Sequence, residues 1–266
     1  MLTNPASARS ETWRSAGFHH GDWLARLEIH SLLTADAPAE IAAVPDWLDG
    51  ALAAAPKADL LLLPELALCC YQHQDAVRRM SLPQSGKTLR RLAALARGRR
   101  QALAFGYAEK CGDERYNAMM AIDAQGNVCA NYRKIHLWSG YEQALFRPGD
   151  RLVGFQLHGF RFGMAICYDL DFPELVRAQA LAGMDCLLCI SATTHGYDVV
   201  PRHVVPARAY ENGCYIAIAN RGDGDGPFAY IGQSRIGGPD GGTLASAPVA
   251  GAFTLSATLD RQSLAG

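Results

Sequence analysis

One short apolar run, at residues 162–166, ends abruptly in a thiol, a tyrosine and a carboxylate, at Cys167, Tyr168 and Asp169. The run is too short for a typical globular helix and has the length of a buried strand. Open α/β sheets place their reactive groups at the carboxyl edge of their strands. This pattern therefore predicts that Cys167 lies at the carboxyl end of a strand in an α/β fold.

Strand-like and helix-like segments alternate on both sides of a middle part that is typical of hairpins. In the first part, strands are predicted at 26–30, 59–63 and 102–107 and helices at 41–54 and 89–96. Hairpins are predicted at 116–132 and 155–166, followed by helices at 173–181 and 204–212 and strands at 186–190 and 215–219. Because two strand–helix parts bracket the hairpins, the pattern predicts a mixed sheet system covered by helices.

The composition argues against two classes of protein. Lys and Arg number 25 and Asp and Glu 26, whereas proteins that bind nucleic acids or membrane surfaces usually show a basic excess or patch. The longest apolar runs fall far below the roughly 20 residues needed to span a bilayer. Residues 1–22 are polar and lack the apolar part of a secretory signal, so we expect a loose extension there. Residues 23–266 are expected to form one domain of a cytoplasmic protein.

The eight cysteines do not indicate disulfides or a metal site. Four of them lie in strand-like apolar runs, where cysteine serves as a small hydrophobic residue: Cys129, Cys186, Cys189 and Cys214. Cys186 and Cys189 have the spacing of zinc or redox pairs, but in a strand their thiols point to opposite faces. We therefore expect reduced thiols and no bound metal.

Three polar residues follow strand-like runs: Glu65, Lys134 and Cys167. Each alone is most often a solvated carboxylate, a surface charge or a packing residue. Together they meet the needs of nucleophilic catalysis, because a thiol must lose its proton to attack a carbonyl and a carboxylate can take it. The oxyanion that forms needs a positive charge or N–H donors, and a lysine supplies the charge.

With these residues in place, the chain resembles the nitrilase, or carbon–nitrogen hydrolase, superfamily. The residues that carry the resemblance are Leu-Leu-Pro-Glu at 62–65, Tyr-Arg-Lys-Ile-His-Leu at 132–137 and Cys-Tyr-Asp-Leu-Asp-Phe-Pro-Glu at 167–174. Segments 207–212 and 232–241 agree as well, so the resemblance covers about residues 25–260. It implies a four-layer α-β-β-α sandwich and an enzyme that needs no cofactor.

The resemblance also implies a role for each residue of the site. Glu65 is expected to be the general base, Lys134 to stabilise the oxyanion and Cys167 to be the nucleophile. Glu142 matches a second glutamate of the family and is expected to orient Lys134 and the substrate. The backbone N–H of Tyr168 is expected to be the second oxyanion donor. An acyl thioester would form on Cys167, and water activated by Glu65 would release the acid.

Residues around this site are expected to contact the substrate. They are Tyr71, Tyr168, Trp138, Thr193 and His195. His195 follows a predicted strand end on the face expected to carry the chemistry. Cys69 and Cys70 depart from the family's usual pattern. Asp171 departs from it as well, because members of the family commonly have arginine at that position.

The expected substrate is a small carboxamide, by resemblance to the branch that hydrolyses aliphatic and ω-amino amides. Hydrolysis of nitriles or of N-carbamoyl amides remains open within the same chemistry. The alternative function outside catalysis is that of a non-catalytic binding module with the same fold. A homodimer or a higher homo-oligomer is expected, although the chain has little of the C-terminal tail that members of the family often use between subunits.

Overall fold

The structure is a computed structural model that describes residues 26–32, 40–54, 57–69, 71–222, 224, 228–248 and 254–264. The extension expected at 1–22 lies outside these residues. The strands are β1 (Arg26–Leu32), β2 (Leu60–Leu62), β3 (Ala102–Cys111), β4 (Glu114–Ile122), β5 (Val128–Arg133), β6 (Gly154–Leu157), β7 (Phe160–Ile166), β8 (Cys186–Ser191), β9 (Tyr215–Asn220), β10 (Arg235–Gly237), β11 (Thr243–Ser246) and β12 (Thr254–Asp260). The helices are α1 (Val44–Ala54), α2 (Gln74–Arg79), α3 (Lys87–Arg99), α4 (Ser139–Gln143), α5 (Pro173–Leu181) and α6 (Val205–Asn212).

The described strands form two six-stranded sheets. The first has the order β12-β1-β2-β3-β4-β5 and the second the order β11-β10-β9-β8-β7-β6. β1, β2 and β3 are parallel, as are β7, β8 and β9, and antiparallel strands flank each parallel set. The carboxyl ends of each parallel set therefore meet at one edge of the sheet, which is where open α/β folds carry their reactive groups.

Alternation along the buried strands divides the core into layers. Leu60 and Leu62 pack between the two sheets, whereas Leu61 packs against the layer that contains α1 and α3. In β8, Cys186 lies between the sheets and Cys189 faces the layer of α5 and α6. This arrangement confirms the predicted four-layer α-β-β-α sandwich, and it confirms that the two thiols point to opposite faces.

The predicted elements are present, with shifted ends. The helix expected from 41 starts as a 3-10 turn (Ile41–Ala43) and continues as α1, and the helix expected from 204 is preceded by a π-helical turn (Val200–Val204). Five further elements were not predicted from the sequence: β10, β11, β12, α2 and α4. No helix within the described ranges combines the length and the apolar character needed to cross a bilayer.

Candidate active site

Cys167 lies directly after β7, as predicted. Its backbone has φ 49°, in the left-handed region that L residues rarely adopt, and a 3-10 turn (Cys167–Asp171) follows before α5 begins at Pro173. Such a conformation costs about 1–3 kcal/mol, so the surrounding structure has to hold it in place. The residue is half-buried and lies on the wall of a cavity.

The buried carboxylate of Asp169 holds this turn. Its Oδ2 accepts hydrogen bonds from the Tyr132 hydroxyl at 2.7 Å and from the Ile166 N–H at 3.0 Å. Its Oδ1 accepts the His136 N–H at 2.9 Å and lies 2.9 Å from His136 Nδ1. A buried carboxylate is stable only when it is satisfied in this way, so Asp169 fixes the backbone on both sides of Cys167.

Lys134 follows β5 directly and is buried between two carboxylates. Its Nζ lies 2.8 Å from Glu65 Oε1 and 2.8 Å from Glu142 Oε1. The amide of Asn117 in β4 donates to the same two oxygens, at 2.6 and 3.0 Å. Since an ammonium has three N–H donors, one donor of Lys134 remains for a ligand.

Glu65 is placed by a close approach of two backbone segments. Its loop follows β2 and passes over Gly106 of β3, whose N–H donates to Pro64 at 3.2 Å. A Cβ at Gly106 would lie 2.6 Å from the Pro64 oxygen and 2.8 Å from the Glu65 Cα, so only glycine fits there. The second carboxylate oxygen of Glu65, Oε2, is buried and has no hydrogen-bond partner among the described residues.

Glu142 is fixed by neighbours on both oxygens. Its Oε1 accepts from the Tyr71 hydroxyl at 2.8 Å as well as from Lys134, and its Oε2 accepts the Trp138 N–H at 2.6 Å. Glu142 lies on the short helix α4 and is fully buried. The carboxylate therefore ties together Lys134 and two residues that line the cavity.

The electrostatics of the site keep the thiol protonated. The pKa of the Cys167 thiol is raised to about 12, because burial first and then the charge of Glu65 raise it by more than Lys134 and hydrogen bonds with Ser191 and the Ala192 backbone lower it. Burial also raises the pKa of Glu65, and Glu142 adds to that rise against the opposing effect of Lys134. The thiol therefore needs a base that accepts its proton during the attack.

Lys134 remains charged in this environment. Burial is the largest single influence on its pKa and lowers it, but the nearby Glu142, Glu65 and Cys167 outweigh burial and hold the pKa well above its usual value. A buried positive charge is thus maintained next to the thiol. Among the described residues, no group of three His, Cys, Asp or Glu side chains is arranged to hold a metal ion.

The cavity at Cys167 brings together most of the predicted site. Its wall is formed by Tyr71, Lys134, Trp138, Cys167, Tyr168, Asp171, Ala192, Thr193, Thr194, Tyr197 and Val200. Four of the five residues expected to contact substrate are on this wall: Tyr71, Trp138, Tyr168 and Thr193. The fifth, His195, is exposed and does not lie on the cavity wall.

Two residues that act through contacts formed by folding were not predicted from the sequence. Asn117 bridges Glu65 and Glu142, and Ser191 contacts the Cys167 thiol. The available signal for Asn117 was an amide beside the fully apolar run of β4 (residues 118–122), since a polar residue at a buried position needs partners. Ser191 gave no comparable signal.

Comparisons with known proteins agree with this geometry. The Carbon-nitrogen hydrolase family matches residues 14–266. The chain is 41% identical over 211 residues to the "Hydrolase in pqqF 5'region" of Pseudomonas protegens, covering 78% of this chain and 74% of that protein. It is 34% identical over 187 residues to an (R)-stereoselective amidase of Pseudomonas sp, covering 70% of this chain and 68% of that protein.

A solved structure shares the fold. The amidase from Nesterenkonia sp. superposes with a TM-score of 0.81 at 31% identity, over 90% of this chain and 92% of that one. In one form of that amidase, the acetamide moiety of fluoroacetamide is added covalently at the active site cysteine. These findings set aside the alternative of a non-catalytic module. The chain belongs to the carbon–nitrogen hydrolase family and is an enzyme of the nitrilase superfamily.

Proposed function

We propose that this enzyme hydrolyses a small carboxamide to a carboxylic acid and ammonia through a thioester on Cys167. The observation that carries the proposal is the buried Lys134 ammonium, held between Glu65 and Glu142 on the wall of the cavity that contains Cys167. A thiol and a fixed positive charge on one cavity wall, with a carboxylate base bound to that charge, are the groups that acyl transfer to a thiol requires.

In the first step, the Cys167 sulfur attacks the amide carbon while its proton passes to Glu65. Oε2 of Glu65 is the suitable acceptor, because Oε1 already binds Lys134 and Asn117. The carbonyl oxygen becomes an oxyanion that the remaining Lys134 donor and the Tyr168 N–H stabilise. That N–H lies in the first turn of a 3-10 helix, where such groups lack partners within the helix.

In the second step, the C–N bond breaks and Glu65 gives its proton to the leaving nitrogen, which departs as ammonia. Water then attacks the thioester carbon and Glu65 takes one of its protons. When the C–S bond breaks, the acid leaves and the Cys167 sulfur regains its proton. Glu142 stays in place throughout and positions Lys134.

The relatives support amide substrates of small size. The Nesterenkonia amidase has been solved in complex with acrylamide and in complex with butyramide, and another relative is named an (R)-stereoselective amidase. Nitriles and N-carbamoyl amides would react with the same thiol, so a panel of the three compound classes decides among them.

The test compares the wild type, Cys167→Ala and Cys111→Ala on that panel. Ammonia release and the mass of the intact protein are measured, and circular dichroism checks the fold. Cys111 is exposed and serves as the matched control. We expect the wild type and Cys111→Ala to release ammonia and to carry an acyl adduct, and Cys167→Ala to do neither. Undiminished ammonia release by Cys167→Ala would refute the proposed nucleophile.

We also propose that the enzyme forms a homodimer or a higher homo-oligomer in the cytoplasm, where a reducing environment keeps Cys167 as a thiol. Leu181 on α5 and Tyr210 on α6 are 80% and 71% exposed, and Arg177 joins the two helices through the Glu211 carbonyl at 2.7 Å. Light scattering after size-exclusion chromatography is expected to give a multiple of the 28.7 kDa chain mass. A monomer would contradict the assembly.

A further inference from the structure

The cavity wall carries a carboxylate that the proposed mechanism does not use. Asp171 ends the 3-10 turn that begins at Cys167 and is half-buried. No side chain among the residues described by the structure forms an ion pair or a hydrogen bond with its carboxylate. Arg208 is the neighbouring cation, but it donates to the backbone oxygens of Leu170 and Asp171 and forms its ion pair with Glu211. The Asp171 carboxylate is thus available to a ligand.

Lys134 and Arg208 attract the Asp171 carboxylate through space, but each is already paired with other carboxylates. Lys134 is the one cation on the described part of the cavity wall, and Glu65 and Glu142 already bind it at 2.8 Å. With the Cys167 thiol neutral, one positive charge faces three carboxylates, and the balance stays negative even when Glu65 holds a proton. A cationic ligand is therefore favoured over a neutral or an anionic one.

The aromatic residues of the cavity suit the same kind of ligand. Tyr71, Trp138, Tyr168 and Tyr197 line it, with Trp138 and Tyr197 in an edge-to-face contact at 6.0 Å between ring centroids. Aromatic faces attract ammonium groups, and most strongly where water is excluded. An ammonium group in this cavity would meet aromatic rings as well as a carboxylate.

We propose that Asp171 determines specificity by binding the ammonium group of substrates that are amino amides. This inference rests on the proposed function, because it concerns the substrate of the same site. The amide would reach Cys167 while its ammonium group pairs with Asp171, four residues further along the same turn. Neutral amides of equal size would lack this ion pair and bind less well.

The test uses substrate pairs that differ only in charge. β-Alaninamide is compared with butanamide, and 4-aminobutanamide with pentanamide, at a pH at which the amino groups are charged. The quantity measured is the ratio of kcat/KM for the cationic amide to that for its neutral partner. In the wild type we expect this ratio to be at least ten for one of the two pairs. In Asp171→Asn we expect the same ratio to be at least tenfold lower than in the wild type.

Glu174→Gln is the matched control. Glu174 lies three residues further along, is exposed and is absent from the cavity wall. Glu174→Gln therefore removes one negative charge, as Asp171→Asn does, but removes it outside the site. Its ratio should stay within about twofold of the wild type. A wild-type ratio near or below one overturns the proposal without any variant, and so does a ratio that is unchanged in Asp171→Asn.

Failure of this inference is distinguishable from failure of the proposed function. If the wild type hydrolyses butanamide or pentanamide through an adduct on Cys167 but shows no preference for charge, only the role of Asp171 fails. If neither the cationic nor the neutral amides are hydrolysed and no adduct forms, the amidase function itself fails.

Discussion

The Asp169 carboxylate contacts His136 twice, at the backbone N–H and at Nδ1, each at 2.9 Å. His136 lies two residues after Lys134, at the end of the first sheet, whereas Asp169 lies two residues after Cys167, at the end of the second sheet. The contact therefore fixes the ammonium relative to the thiol across the two sheets. The precision of the site depends on this link, because neither sheet alone positions both groups.

Replacing Asp169 by Asn should weaken both the fold and the catalytic site. An amide nitrogen in place of either oxygen would oppose N–H or O–H donors from Tyr132, Ile166 or His136, leaving buried donors without acceptors. We expect the free energy of unfolding to fall by about 2–4 kcal/mol, since buried unsatisfied groups cost about 1–3 kcal/mol each and charged ones more. We also expect kcat/KM for the best amide to fall. Urea unfolding and steady-state kinetics measure the two effects.

The control for this variant is Asp150→Asn, because Asp150 is exposed and its ion pair with Arg151 lies on the surface. Its unfolding free energy should change by less than about 0.5 kcal/mol, as is usual for surface substitutions. If the free energy of unfolding of Asp169→Asn falls by less than about 1 kcal/mol, the link between the sheets contributes little to stability.

Lys134→Ala should fold but lose acylation. Without the ammonium, the pKa of the buried Glu65 rises further, because its carboxylate then lies near the Glu142 carboxylate without a cation. A carboxylate whose folded pKa is raised above its unfolded value loses stability as pH rises above the unfolded value. The variant should therefore be less stable at pH 8 than at pH 6 relative to the wild type.

Rapid-quench mass spectrometry of the Cys167 adduct measures the catalytic effect of Lys134→Ala. We expect the rate of acyl-enzyme formation to fall by about 10²- to 10³-fold, which is the usual loss when one oxyanion donor is removed. Lys110→Ala, a change at an exposed lysine at the end of β3, is the control. Normal acylation in Lys134→Ala would remove Lys134 from the oxyanion role.

Local signals explain why the positions of the site residues were predictable. Cys167, Lys134 and Glu65 each follow a strand-like run, and the ends of such runs are visible in the sequence without knowledge of the partners. β7, β5 and β2 confirm these ends to within one or two residues. The four-layer arrangement was expected from the family resemblance, whereas period-two alternation predicted only that the Cys186 and Cys189 thiols point to opposite faces.

Short length and pairing between distant segments explain why some elements were not predicted. β10 has three residues and β11 four, which is too short for an alternation to be recognised, and β12 pairs with β1 from the other end of the chain. α2 and α4 are only six and five residues long, so that neither shows a helical period. His195 is adjacent in sequence to lining residues, but the loop carries it to the surface.

Asn117→Ala tests the amide that bridges the two carboxylates. The variant loses hydrogen bonds to Glu65 at 2.6 Å and to Glu142 at 3.0 Å, and both acceptors are buried. Hydrogen bonds to charged groups contribute about 1.5–3 kcal/mol each, so we expect a loss of about 2–4 kcal/mol in unfolding free energy. We further expect at least tenfold lower kcat/KM, because the base loses a positioning contact.

Gln125→Ala, in the exposed hairpin turn that follows β4, serves as the control for Asn117→Ala. Both variants are measured by urea unfolding and by ammonia release. Equal effects in the two variants would contradict a special role for the bridging amide. A fall in activity with unchanged stability would place the effect of Asn117 in positioning alone.

The raised pKa of Cys167 predicts how the thiol reacts with iodoacetamide. With a pKa of about 12, the thiolate fraction rises about tenfold for each pH unit between 7 and 10. The labelling rate should rise in proportion, whereas glutathione, a free thiol, should level off once the pH exceeds its own pKa. Peptide mass spectrometry of Cys167 measures the rate, and levelling off below pH 9 would indicate a stable thiolate instead.

Glu65→Gln separates the two effects that Glu65 has on the thiol. The charge of Glu65 raises the pKa of Cys167 and that of Lys134 lowers it, so neutralising Glu65 should lower the thiol pKa. Labelling of Cys167 at pH 8 should then be faster than in the wild type. Amide turnover should nevertheless fall by about 10²–10⁴, the usual contribution of a general base, because glutamine cannot accept the proton. Slower labelling together with slower turnover would mean that the substitution damages the site rather than removing its base.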